Sequence, residues 1–322
     1  GFGGLRSGIR TSFADTRGLH SAWRIRSRHY AEVLSGGESF QPKGSGRRQL
    51  AELIASPKNP LTARVMVNRI WHYHFGTGIV DTPSDLGFNG GKPSHPELLD
   101  WLAAQFMQRK WSLKEMHRLI MNSAAYRQSS AANDAGMLAD SGARLLWRFP
   151  TRRLEAEPLR DTILAVSGVL DLTMGGPGFD LFVPNDNYVK VYQSKQEFGP
   201  DTFRRMVYQS KPRVQLDDTF GAFDVPDAGQ IAPRRTSSTT PLQALNFLNS
   251  TFAMQQSELL TERLEKEAGK DAAAQAKRAF QLAYQRDPNA DELAASTQLI
   301  SQHGLAMFCR ALFNTSEFMT LY

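Results

Sequence analysis

Residues 59–80 read NPLTARVMVNRIWHYHFGTGIV, and their reading decides the fold class. Asn59 followed by Pro60 is the text of a helix start. An Asn side chain accepts from the first free backbone N–H groups, and proline lacks the N–H that the next position would leave unpaired. Ala63, Met66, Val67, Ile70 and His74 then share one helical stripe, and Gly76 supplies a stop. The same grammar recurs twice. In 93–106, PSHPELLDWLAAQF, Ser94 and Glu97 have capping-box spacing ahead of Leu98, Leu99, Leu102 and Phe106. In 111–130, WSLKEMHRLIMNSAAYRQSS, Ser112 and Glu115 repeat the device ahead of Leu113, Met116, Ile120 and Ala124. Three amphipathic helices in succession predict a mainly α, multi-helix domain.

Working outward, residues 1–46 are rich in Gly, Arg and Ser and read as a loop-rich leader or linker. Helical text begins with RRQLAELIAS at Arg47 and stops at Pro57. A fourth helix is predicted over 153–167, with Pro158 in its first turn and Gly168 at its end. These form an N-terminal helical part over 47–170. Residues 171–235 change character, mixing Gly, Pro, Asp and aromatics. There the pattern predicts long loops around a small β element, with Met206 to Tyr208 as one β-prone piece. Thr240 and Pro241 restart helical text, and a C-terminal helical part over 236–322 is expected to pack on the rest. The whole of 47–322 is read as one helical domain.

The chain has 322 residues, 41% apolar and 22% charged, which is folded-protein usage and not that of a disordered chain. Its net charge is +6, without a block of five or six like charges. That argues against a nucleic-acid arm and for a solvated, mildly basic surface. Were a polyanion bound, an acidic or sulfated glycan would stand level with nucleic acid. The single cysteine, Cys309, excludes a disulfide within the chain, and no CxxCH haem-attachment motif occurs. No apolar run approaches the ~18 residues that a membrane helix needs. The chain opens on Gly1 with no leader in view, so we expect an internal or C-terminal piece of a longer polypeptide.

The motifs just quoted, with PSDLGF at 83–88, RRLEAEPLRDTILAVSG at 152–168 and RRTSSTTPLQALNFLN at 234–249, resemble a domain of unknown function. This is the planctomycete surface domain (domain of unknown function 1553). The resemblance runs from about Arg47 to Tyr322. It implies an exported parent, periplasmic or at the cell surface, in which a cytochrome-c-like module precedes this domain. Haem c would then belong to an upstream region and no cofactor to this chain. The resemblance implies no established activity and carries over no catalytic residue.

Candidate sites must therefore come from the residues. Asn68, Arg69 and His72 share one side of the first long helix and could line a polar groove; His74, on the apolar stripe, reads as a core histidine. His72 and His74 are two apart and cannot chelate together, and no spacing supports a metal site. Glu157 and Asp161 are i, i+4 neighbours. Buried together, one would titrate high and serve as a general acid; the plainer reading is an ion network tying the helix to the middle region. In the loops, Asp224 and Asp227 offer oxygen ligands or a catalytic carboxylate. Arg234 and Arg235, just before the Thr240 cap, could grip a carboxylate or sulfate. The alternative there is an Arg–Asp clasp that pins the loop. GGPG at 175–178 lacks the Lys–Ser/Thr ending of a phosphate loop, and no GxSxG elbow is present.

Two function classes remain. The first is an accessory or binding domain of an exported, haem-associated protein, engaging a glycan or a partner such as a haem-bearing subunit. The second is an enzyme acting on polysaccharide-derived substrates through Glu157, Asp161 or Asp224 and the Arg pair.

Overall fold

The computed structural model describes residues 45–183, 191–213, 215–226, 228–229 and 232–322. Among them are twelve α-helices and a single two-stranded sheet, so the chain is mainly α. Two compact units divide between Phe149 and Pro150.

The first unit holds α1 (Arg47–Ile54), α2 (Thr62–Phe75), α3 (Pro96–Gln108), α4 (Leu113–Met121), α5 (Ala124–Arg127) and α6 (Asp134–Ala139). Helices α2, α3 and α4 pack on one another. Val67, Ile70, Trp71 and Phe75 of α2, Leu99, Leu102 and Phe106 of α3, and Met116 and Ile120 of α4 are all buried. Helix α2 starts at Thr62, not at Pro60, because the expected cap is used elsewhere. Asn59 accepts from Leu61 N at 3.0 Å and turns its amide to the last carbonyls of α1, at Leu53 and Ile54. The Ser94–Glu97 box does not form either. The Ser94 hydroxyl goes to Ile79 O and to His95, and α3 starts without a side-chain cap. Ser112 does cap α4, while Glu115 turns to Arg109 and Arg118 instead of closing the box.

The second unit begins with β1 (Arg152–Arg153), which pairs antiparallel with β2 (Thr320–Leu321). Between them run α7 (Ala156–Ser167), α8 (Pro241–Asn249), α9 (Thr251–Ala268), α10 (Ala272–Tyr284), α11 (Ala290–His303) and α12 (Leu305–Phe313). Their caps are local and strong. Thr240 with Gln243 and Asn289 with Glu292 close full capping boxes, and Gly168 ends α7 in the left-handed region at φ 85°. Helix α9 is the hub, packing on α7, α8, α10 and α12.

The middle region lies on this helical frame with almost no ladder of its own. Met206–Tyr208 is one 3-10 turn, not a strand, and the described residues between α7 and α8 hold only isolated bridges. The Phe179 segment reaches the end of this piece, donating to Tyr208 O at 3.1 Å and accepting from Ser210 N at 2.8 Å. The contact stays a single bridge because 206–208 closes its own turn, with Gln209 N donating to Met206 O at 3.0 Å. The region is held by buried aromatics instead. Phe220 lies 5.3 Å from Phe252 and 6.4 Å from Phe247, and Phe223 lies 4.8 Å from Phe247, most of them edge to face. Phe220→Ala is expected to cost about 3–5 kcal/mol by chemical denaturation. Leu242→Ala, on the exposed side of α8, should change stability by no more than about 0.5 kcal/mol.

Candidate functional site

Helix α7 presents its charged residues to the middle region. Arg235 donates to both Glu157 oxygens, at 2.6 and 2.9 Å, and Lys211 adds a third bond at 2.9 Å. Arg235 also lies 3.5 Å from Glu155. Burial alone would push the Glu157 carboxyl up; the hydrogen bonds from Arg235 and Lys211 outweigh it and hold the group down to about 2. One turn on, Asp161 accepts from Met206 N at 2.7 Å and from Arg205 at 3.1 Å. The like-charge pair that would raise one carboxyl is therefore dissolved, each member having its own donors. Glu157 shifts in the direction opposite to that of a general acid.

Asp224 sits in the left-handed region at φ 56° and accepts from the N–H of Ser238 at 2.8 Å and from its hydroxyl at 2.9 Å. Its partner is this serine; the clasp made by Arg235 closes on Glu157 and Glu155. Arg234 is exposed and makes no ion pair among the described residues. Asp227 lies outside the described residues.

Between these groups lies Arg160, with none of its surface exposed. Its guanidinium donates to the carbonyls of Thr202 and of Arg204 (2.9 Å for the latter) and lies over the rings of Phe179 and Phe252, 5.0 and 5.4 Å from their centroids. Burial pulls it down to about 10, although Asp161 and Asp217 favour its charge. Arg204 does similar work outside. It stacks 4.0 Å from the Tyr208 ring and donates to the carbonyls of Thr173, Gly175 and Pro177, wrapping the GGPG segment around itself.

A cavity of about 250 Å³ opens where the 194–198 segment, the 217–220 turn and the α8–α9 junction meet. Phe198, Phe220, Phe252 and Leu181 form its apolar wall, and Ser194, Gln196, Asp217, Asp218, Asn246 and Thr251 are among its polar residues. Asp217 is engaged as a turn cap, accepting from Phe220 N at 2.7 Å and Thr219 N at 3.2 Å. Burial pushes its carboxyl up against the pull of those N–H groups. Asp218 is exposed, and its carboxylate has no partner among the described residues. Sequence reasoning missed this cavity because its lining comes from three separated segments. The polar run Asn246, Asn249, Ser250, Thr251 at a helix–helix junction was its one visible sign.

In the first unit, Asn68 is fully buried, and its amide holds the Val80 backbone from both sides, donating at 2.9 Å and accepting at 2.8 Å. Arg144 donates to the carbonyls of Gly78 and Ile79, each at 2.7 Å. A side chain at Gly78 would meet Val80 O at 2.5 Å. Asn68 thus points into the protein, away from the exposed Arg69, and these two do not line one groove with the half-buried His72. His74 Nε2 lies 2.8 Å from His117 Nδ1. Among the described residues no three His, Cys, Asp or Glu side chains converge as a metal site. Cys309 is buried, and that burial raises its thiol to about 12. No helix is long and apolar enough to cross a membrane among the described residues.

Comparison with known families gives a match to PSD1, a protein of unknown function (DUF1553), over residues 46–300. The chain belongs to this family. No curated protein and no solved structure matches it.

Two predictions follow from these contacts. Glu157 gains its partners on folding, so its stabilisation is fully present above its ordinary value of 4.5 and is lost as pH falls towards about 2. Glu157→Gln should therefore lower stability by about 1–2 kcal/mol at pH 7, solvent screening at this partly exposed pair included. The gap to the parent should close between pH 4.5 and 2 in denaturation curves. Asn68→Ala should cost about 2–3 kcal/mol by leaving the Val80 backbone unpaired. A groove residue would instead leave the melting temperature unchanged.

Proposed function

We propose that this chain is an accessory binding module of an exported protein, engaging a glycan or a partner subunit, and that its carboxylate cluster does no acid–base chemistry. The observation that supports this reading is the state of Glu157, Asp161 and Asp224. A general acid or base works best with a pKa near the operating pH and an open path to substrate. Glu157 is held ionised down to about 2 by Arg235 and Lys211. Asp161 and Asp224 each accept from a backbone N–H and serve to fix loops. Such engagement suits a scaffold that holds irregular segments in shape. An upstream haem c module belongs to the same proposal and rests on the resemblance of the motifs alone.

Two measurements test it. The native protein, run on a gel, stained for haem and probed with an antibody to this domain, should give a haem-positive band well above 35.9 kDa. A haem-negative band near that mass removes the haem part. Incubated with polysaccharide-derived substrates, the chain should show no turnover. Turnover that Asp224→Asn or Arg235→Ala abolishes without lowering the melting temperature would replace the binding module with an enzyme.

A further inference from the structure

Two polar side chains have no exposed surface and still hold atoms without a hydrogen-bond partner among the described residues. They are Arg160, at Nε, and Gln256, at both atoms of its amide. An unpaired polar atom in the interior costs free energy, so buried polar groups of folded proteins find a partner in the protein or in ordered water. The Gln256 amide is orphaned at both ends, and turning it over supplies neither.

The two side chains belong to helices that pack on each other, α7 and α9. The Arg160 guanidinium lies over the Phe252 ring of α9, 5.4 Å from its centroid. Gln256 follows Phe252 by one turn on the same side of α9. Arg263, about two turns further on that side, donates to the carbonyls of Ala165 and Val166 at the far end of α7, at 3.1 and 2.9 Å. Gln256 therefore sits on the stripe of α9 that meets α7, with one contact before it and one after. Nearby hydroxyls are spent locally. Ser167 donates to Ile163 O and Ser257 to Ala253 O, each at 2.7 Å, and Thr202 donates to Gly199 O at 2.8 Å. Ile163 and Leu164, both fully buried on α7, add only apolar surface.

The orphaned atoms select their ligand. Arg160 Nε–H and Gln256 Nε2–H donate, and Gln256 Oε1 accepts. A small anion would meet the donors and leave the acceptor bare. It would also enter the field of Asp161 and Asp217, the two carboxylates that favour the Arg160 charge. A metal cation would meet the acceptor alone and be repelled by the guanidinium. Water both donates and accepts, and a buried water typically makes about three hydrogen bonds.

We infer that the α7–α9 interface holds internal water, which accepts from Arg160 Nε–H, donates to Gln256 Oε1 and so bridges the two helices. All three guanidinium nitrogens of Arg160 are then engaged, two by the carbonyls of Thr202 and Arg204 and the third by water. This site stands or falls independently of the binding-module reading.

Crystals of the full chain, native and soaked in bromide, test it by electron density and anomalous scattering. Water density within hydrogen-bond reach of both Arg160 Nε and Gln256 Oε1 is the expected result. In solution, Gln256→Met removes the amide at similar length and should raise the unfolding constant about tenfold, because the water loses a partner and Arg160 Nε loses its bridge. Density that joins the Gln256 amide directly to another protein group overturns the inference. So does an anomalous bromide peak at this position, which would make it an anion site. Gln256→Met more stable than the parent overturns it as well, since that is how a dry, unpaired amide responds to an apolar replacement. Should the variant fail to fold, the density of the parent decides.

Discussion

The second unit depends on one buried cation. Arg160 leaves water completely, a step costing several kcal/mol if uncompensated. The compensation comes from two carbonyls of the 202–204 segment, two aromatic faces and the fields of Asp161 and Asp217. Those partners belong to α7, α9 and the middle loops at once. A long irregular segment can be buried only when its backbone groups find partners, and the guanidinium supplies donors where no strand does. Arg204 and Asp161 extend the same solution outward, one by donating to carbonyls and the other by accepting from an N–H.

The first unit uses an amide for the same purpose. The turn after α2 has no ladder neighbour, and Asn68 acts as one, offering Val80 a donor and an acceptor as an adjacent strand would. Arg144 takes the two preceding carbonyls, and Gly78 leaves the room that the approach requires. In both units, polar side chains that resemble ligand-binding groups in the sequence serve as substitutes for backbone.

That substitution marks the boundary of what could be read from the sequence. The C-terminal helices were legible because their signals are local: Thr240 meets Gln243, and Gly168 turns left-handed, wherever the chain goes next. Ser94 and Asn59 carried the same signals and misled, since Ile79 O and the end of α1 offered closer partners. Asn68 sat on the polar side of a helical wheel that knew nothing of Val80. Met206–Tyr208 had the composition of a strand, but it closes on itself as a 3-10 turn and meets the Phe179 segment at one bridge only. Glu157 and Asp161 were rightly placed as neighbours, but the sign of the Glu157 shift depended on Lys211 and Arg235, 54 and 78 positions away. The cavity was least legible, being formed by three segments that only the folded chain brings together.

The pairing of β1 with β2 has a mechanical consequence. Arg152 faces Leu321 and Arg153 faces Thr320, so the first and last elements of the second unit lie side by side. A pull applied through those two ends runs across the ladder, peeling its bonds one after another instead of shearing them together. The clasp is also joined to the helical core, with Arg153 donating to Ser238 O and to Gln243, and with Phe318 and Met319 lying in the core itself, so parting it would loosen the core from its edge. The two paired positions of β1 and β2 are thus the seam that stretching would undo first.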